Sequence, residues 1–308
     1  MSGVPSVSAP RHSAAAATPL IQADLRQRVA DLVALTKPKV QVLLLLTTVT
    51  AMYAAGSPSI WLVLATVVGG SLASGGASAF NHWYDRDIDA VMERTKDRPI
   101  PSGRMEPHVA LWAALWLTIG SFALLAWAAN ITAALLAMAG FVWYVGVYTM
   151  WLKRRTTNNI VIGGLAGAFP PMVGWAAVTG GFAVDSLYPF AIVFAWTAPH
   201  FWALSLLILD DYQAAKIPML PAVRGTAYTY RAITIWSAIT VVVSIVPVLT
   251  GAFGLIYLVA ALALGVELMR RSLLLGREGS REAALGLHLY ALIYLSVLFA
   301  AMVADAKF

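Results

Sequence analysis

The chain has 308 residues, 60% of them hydrophobic and 12% charged, with a formal net charge of +6 and no cysteine. A soluble globular domain carries about 25% charged residues, so an ordinary soluble enzyme is excluded, as is a nucleic-acid-binding module whose basic residues would cluster on one face. The missing cysteine removes disulfides, thiolate metal sites and covalent haem attachment.

Residues 1–36 read as an Ala/Ser/Pro-rich cytoplasmic tail, partly disordered and without the apolar core of a cleavable signal. Within it Leu25, Val29, Leu32 and Val33 recur at helical spacing beside Arg26 and Arg28, which predicts a short interfacial helix. Residues 37–308 form one membrane domain. Nine apolar runs follow, at 39–56, 60–80, 107–128, 131–151, 159–179, 187–209, 231–250, 253–270 and 285–304. Each is close to the ~20 residues that cross a bilayer as a helix. Hydrocarbon demands that every backbone polar group be satisfied within the segment, and these runs are too long and too uniformly apolar for barrel strands. The predicted class is therefore all-α, a polytopic bundle of nine transmembrane helices.

Basic residues collect in the tail and after the even-numbered spans. Arg86, Arg94, Lys96, Arg98 and Arg104 follow the second span, and Lys153, Arg154 and Arg155 the fourth. Lys216, Arg224 and Arg231 follow the sixth, and Arg270, Arg271, Arg277 and Arg281 the eighth, leaving Lys307 alone on the opposite side. Lys and Arg mark cytoplasmic loops, which predicts a cytoplasmic N-terminus and an outside C-terminus. The two longest loops, 81–106 and 210–230, then both face the cytoplasm.

The first of these loops opens with Asn81, Asp85 and Asp89. If the second helix continues past the bilayer, they stand at i, i+4 and i+8 on one face, within about 12 Å. One carboxamide and two carboxylates make a hard-oxygen stripe suited to Mg²⁺, which takes one or two carboxylates and fills its shell with water and phosphate oxygens. The interleaved Arg86, Arg94, Lys96 and Arg98 also permit a plain charge-balanced loop. The second loop opens with Asp210-Asp211 and carries Lys216 and Arg224; taken alone it reads as a helix end followed by a Pro-rich turn. Because the second and sixth spans exit on the same side, their acidic groups can converge over one cavity, with cations between them to neutralise a diphosphate. Either Asp210 or Asp211 can face a metal, with Asp211 preferred. Lys153 and Arg154 end the fourth span, where a basic cluster also serves as a positive-inside anchor.

Inside the spans almost nothing ionises. Glu267 has Arg270 and Arg271 as neighbours, which leaves His200 and His288. A proton- or ion-driven transporter needs midplane charges, so their scarcity favours an enzyme with an apolar substrate. His200 can equally be a core histidine bonded to a nearby carbonyl.

Taken together, several segments resemble the haem-farnesylating branch of the UbiA-type intramembrane prenyltransferase superfamily. They are Asn81, Asp85 and Asp89 continuing to Met92, Arg94-Thr95, Arg98-Pro99 and Gly103; Tyr148-Thr149 with Trp151 to Arg154; Asn159 to Ala168; Pro199-His200-Phe201-Trp202; and Asp211-Tyr212 with Ile217 to Pro221. Two departures from the wider superfamily stand out: Ala215 occupies the fourth position after Asp211, and the interval from Tyr148 to Lys153 is one residue longer than YxxxK.

The resemblance implies Mg²⁺-assisted ionisation of farnesyl diphosphate, with Asn81, Asp85, Asp89 and Asp211 as metal ligands. Asn81, Arg94, Arg98, Lys153 and Arg154 would bind the diphosphate, and His200 would contact haem. It further implies farnesyl transfer to a vinyl group of haem B to give haem O, a bacterial plasma (inner) membrane location, surrounding lipid, and protein partners such as haem A synthase or terminal-oxidase assembly factors. No nucleic-acid partner is expected. Two other readings remain open: a prenyltransferase acting on a quinone precursor or chlorophyll-type acceptor, and a Mg²⁺ or lipid-phosphate transporter.

Overall fold

The structure is a computed structural model that describes residues 25–307. Of the tail expected over 1–36, residues 1–24 lie outside that range. The described residues contain helices and no strand. In chain order they are α1 (Leu25–Leu35), α2 (Pro38–Ala55), α3 (Ile60–Tyr84), α4 (Arg86–Asp89), α5 (Pro107–Ala128) and α6 (Ile131–Val142). α6 runs on as a π-helical stretch, Trp143–Leu152. Then come α7 (Asn159–Gly163), a 3₁₀ stretch Gly164–Ala168 and α8 (Phe169–Thr179), followed by α9 (Leu187–Leu207), α10 (Leu209–Ala214), α11 (Leu220–Arg224), α12 (Thr226–Leu249), α13 (Leu255–Glu278) and α14 (Arg281–Lys307).

Eight helical segments are long and apolar enough to cross a membrane, so the chain is an integral, multi-pass membrane protein. The expected count was nine. The difference is α13: it is 24 residues long, but Glu267, Arg270, Arg271, Arg277 and Glu278 crowd its second half and lower its apolarity below that of the others. It nonetheless packs between α12 and α14 as part of the same bundle.

Local chemistry sets the helix ends. Ser59 accepts from the Leu62 N–H at 3.2 Å, and Asn130 caps α6 by accepting from Ala133 at 2.9 Å while donating to the Ala176 carbonyl at 2.8 Å. These side chains satisfy first-turn N–H groups that have no partner within the helix. Between spans, polar side chains do the joining: Ser121 donates to the Gly69 carbonyl (2.7 Å), Ser237 and Ser272 pair at 2.7 Å, and Trp196 Nε1 donates to the Ala291 carbonyl (2.7 Å). In lipid there is no hydrophobic drive between apolar helices, so such bonds and close packing carry association.

α2 lies against α8 and α14, and α9 against α12 and α14. The α2–α8 approach depends on Gly174, where an added Cβ would stand 2.2 Å from the Thr48 carbonyl oxygen. Gly174→Ala must push two backbones apart, an overpacking worth about 3 kcal/mol. Its thermal midpoint in detergent should fall clearly below wild type, whereas Gly276→Ala, whose Cβ meets nothing, should not lower it.

The short helix expected from the spacing of Leu25, Val29, Leu32 and Val33 is α1, and all four side chains are exposed. Two of its residues, Asp31 and Leu35, are buried. Asp31 accepts from Arg104 Nη2 at 3.2 Å and so ties α1 to the loop between α4 and α5.

Candidate active site

α3 does run past its last apolar turn. Asp85 N–H donates to the Asn81 carbonyl (2.9 Å) and Asp89 N–H to the Asp85 carbonyl (2.8 Å), so i→i+4 bonding carries through the bend at Asp85 into α4. Asn81, Asp85 and Asp89 therefore form the expected stripe, and all three are buried, Asp85 completely.

Burying two carboxylates costs several kcal/mol each unless cations meet them. Here they do. Lys153 donates to Asp85 Oδ2, Arg154 Nη2 to Asp85 Oδ1 at 3.2 Å, and Arg98 Nη1 to Asp89 Oδ2 at 2.7 Å. Asn81 Nδ2 donates to Asp85 Oδ2 (2.6 Å) while its side-chain Oδ1 accepts from Lys37 Nζ (2.9 Å). Arg154 also grips Asp87 through two bonds of 2.6 and 2.7 Å and lies 5.2 Å over the Tyr84 ring. The Arg154 hydrogen bonds hold the Asp87 carboxyl below its ordinary range. Burial, and then the charges of Arg98 and Lys153, push the Lys37 ammonium down to about 7. Arg98, Lys153 and Arg154 thus match Asp85, Asp87 and Asp89 charge for charge, and Lys37 is the cation whose only side-chain partner among the described residues is a neutral amide oxygen.

Lys153 is delivered by an unusual turn. Its N–H donates to the Tyr148 carbonyl five residues back, at 2.9 Å, closing the π-helical stretch. A π-turn accommodates one residue more than an α-turn. The longer Tyr148–Lys153 interval is therefore taken up by helix widening, and Lys153 still reaches the stripe. Asn159, fully buried, donates to the Lys153 carbonyl at 3.3 Å and braces the end of that turn.

The second acidic loop joins the first through Asp211. Its Oδ1 accepts from the Glu93 N–H at 2.9 Å and its Oδ2 from the Arg94 N–H at 3.4 Å. Asp210 is exposed. Among the described residues no three Asp, Glu, His or Cys side chains stand close enough to form a metal cage by themselves. The buried oxygens of Asn81, Asp85 and Asp89 fit an ion that borrows its remaining ligands from a phosphate group, as Mg²⁺ does.

His200 lies apart from this cluster. Its ring stacks on Trp196 and on His288 of α14, both at 4.4 Å, and meets Phe201 edge-on. Two neighbours of the stripe escaped the sequence reading as site groups. Lys37 has no acidic partner at local spacing to mark it, although its place at the start of the first long span was a usable signal. His82, beside Asn81, is buried with both ring nitrogens unpartnered.

The sequence model of the UbiA prenyltransferase family matches residues 43–293. A protoheme IX farnesyltransferase of Gloeobacter violaceus is 49% identical over 281 residues, 90% of this chain and 92% of that protein. One from Chloroflexus aurantiacus is 50% identical over 282 residues, 91% of this chain and 48% of that protein, and for one from Thermus thermophilus the figures are 48%, 277, 89% and 46%. The chain thus spans about half the length of the latter two relatives. Among solved structures, a UbiA homolog from Archaeoglobus fulgidus bound to DMAPP and Mg²⁺ superposes with a TM-score of 0.64 at 14% identity, covering 88% of this chain and 99% of that one. A digeranylgeranylglyceryl phosphate synthase gives 0.74 at 17% identity, covering 91% and 99%. At such identities the likeness is one of fold.

Proposed function

Because the chain belongs to the UbiA prenyltransferase family, we propose that its acidic stripe ionises farnesyl diphosphate and that haem B receives the farnesyl group, giving haem O and diphosphate. The observation that carries this reading is the buried stripe Asn81–Asp85–Asp89, ringed by Lys37, Arg98, Lys153 and Arg154 and linked through Asp211 to the second acidic loop.

Mg²⁺, held by Asn81, Asp85, Asp89 and Asp211, would offset charge on the departing diphosphate. The chain's own residues supply the rest. Lys153, Arg154 and Arg98 can turn from their carboxylates to diphosphate oxygens, and Arg94, whose backbone is fixed by Asp211, extends the same rim. The C–O bond of the prenyl diphosphate breaks with its electron pair on oxygen. The allylic carbon bonds to the terminal carbon of a haem vinyl group, water adds to the adjacent carbon, and one proton is lost. An allylic cation requires a dry, electron-rich pocket. Tyr148, Trp196, Trp202 and Tyr212 belong to, or pack against, the same apolar core as Ile88 and Met92 of the first acidic loop. A nine-span topology with the N-terminus cytoplasmic places this mouth at the inner face of a bacterial plasma membrane, by the positive-inside pattern. Haem A synthase and oxidase assembly factors would be its neighbours in such a membrane.

Purified protein incubated with haem B, farnesyl diphosphate and Mg²⁺ should yield a haem heavier by one farnesyl group and one hydroxyl group, read by mass spectrometry. Haem left unmodified while an aromatic quinone precursor is consumed would move the chain to another acceptor class.

A further inference from the structure

His288 is the one histidine of the spans with a ring nitrogen already committed to the backbone. Its Nδ1 lies 3.3 Å from the His200 carbonyl oxygen. A carbonyl only accepts, so Nδ1 carries the proton and Nε2 keeps its lone pair. A histidine that ligates a metal commonly has this form: the other ring nitrogen donates to a backbone carbonyl, which fixes tautomer and orientation. The ring is also held in place, stacked on His200 at 21° with Trp196 on the far side of His200 at 15°. His200 is buried with Nδ1 unpartnered, so the two imidazoles are not a closed couple that satisfies itself. His288 is half-buried.

The rest of α14 supplies what an apolar disc with carboxylates on one edge requires. Arg281 precedes His288 by seven residues, close to two helical turns, which puts both on one face about 10.5 Å apart along the axis. Arg281 donates to the Leu207 carbonyl at 2.9 Å and has no carboxylate partner among the described residues. Leu285 lies between them on nearly the same face and is 46% exposed; Phe201, 37% exposed, closes the α9 side. Imidazole, apolar wall and cation thus follow one another from the bilayer toward the charged end of the bundle.

We propose that α9 and α14 form the docking site of the haem acceptor, with His288 Nε2 as axial ligand to its iron and Arg281 receiving a propionate. This rests on haem being the acceptor. The purified protein is titrated with haem B in the absence of Mg²⁺ and prenyl diphosphate and followed by absorption and resonance Raman spectroscopy; the same preparations are then assayed for farnesylation. Wild type should show a histidine-ligated haem. His288→Ala should lose that signature, and added imidazole should restore it, which a misfolded variant would not allow. Arg281→Gln should keep the signature and bind haem about tenfold more weakly, the loss of one charge-assisted hydrogen bond. A His288→Ala spectrum identical to that of a wild type that farnesylates haem would overturn the docking site while leaving the proposed reaction standing. A wild type that neither binds nor modifies haem would overturn both.

Discussion

Asp85→Asn should lower turnover about 10³-fold, some 4 kcal/mol of transition-state stabilisation, with yield in the membrane and monodispersity in detergent unchanged. Asp85 is fully buried and is the one carboxylate met by Asn81, Lys153 and Arg154 together. A neutral amide of the same shape still accepts a hydrogen bond from Lys153, so the chain still folds, at a cost of about 3 kcal/mol because Lys153 and Arg154 lose the carboxylate that balanced them. The amide no longer offers a metal the anionic oxygen that Mg²⁺ prefers. The check is kcat/KM at saturating Mg²⁺, beside the size-exclusion profile. Wild-type rates in Asp85→Asn would remove the residue from the reaction.

The two adjacent aspartates of the second loop should separate sharply. Asp211→Ala is expected to cost about 10²-fold in kcat/KM, a loss typical of one preorganised charged group, whereas Asp210→Asn should stay within about twofold. Asp211 pins the Glu93 and Arg94 amides and so sets the distance between the two acidic loops; Asp210 is exposed. If Asp211 also ligates metal, its loss should raise the Mg²⁺ concentration needed for half-maximal rate, which a purely structural tie would not do. Equal losses at both positions would show that the loop, and not one carboxylate, is what the reaction needs.

The stripe was legible because its residues share one helical face, and i→i+4 bonding through Asp85 preserves that spacing past the end of the apolar run. Apolar run length likewise announced the spans, α13 excepted, where five charges in the second half blur a composition-based count. The π-helical stretch was not legible. Its nearly continuous run of apolar and aromatic residues reads like any α-helical span, and the only trace was an interval to Lys153 longer by one residue, which looked like a departure from family geometry and is in fact absorbed by the wider turn. Partnerships of charge across the bundle were hidden for a different reason. Lys37 is separated from Asn81 by 44 residues and Asp211 from Glu93 by 118, and no local spacing encodes contacts of that range. The stacking of His200 on His288, from helices far apart in the chain, escaped for the same reason.

The most direct test is a crystal or cryo-EM structure of the protein with Mn²⁺ in place of Mg²⁺ and an unreactive thio analogue of farnesyl diphosphate, the metal being located by its anomalous or scattering signal. The expected result is metal bounded by Asn81, Asp85 and Asp89 on one side and diphosphate oxygens on the other, with Lys153 and Arg98 moved onto the diphosphate and Asp211 closing the shell. Diphosphate bound elsewhere, with Lys153 still on Asp85 and no metal at the stripe, would contradict it.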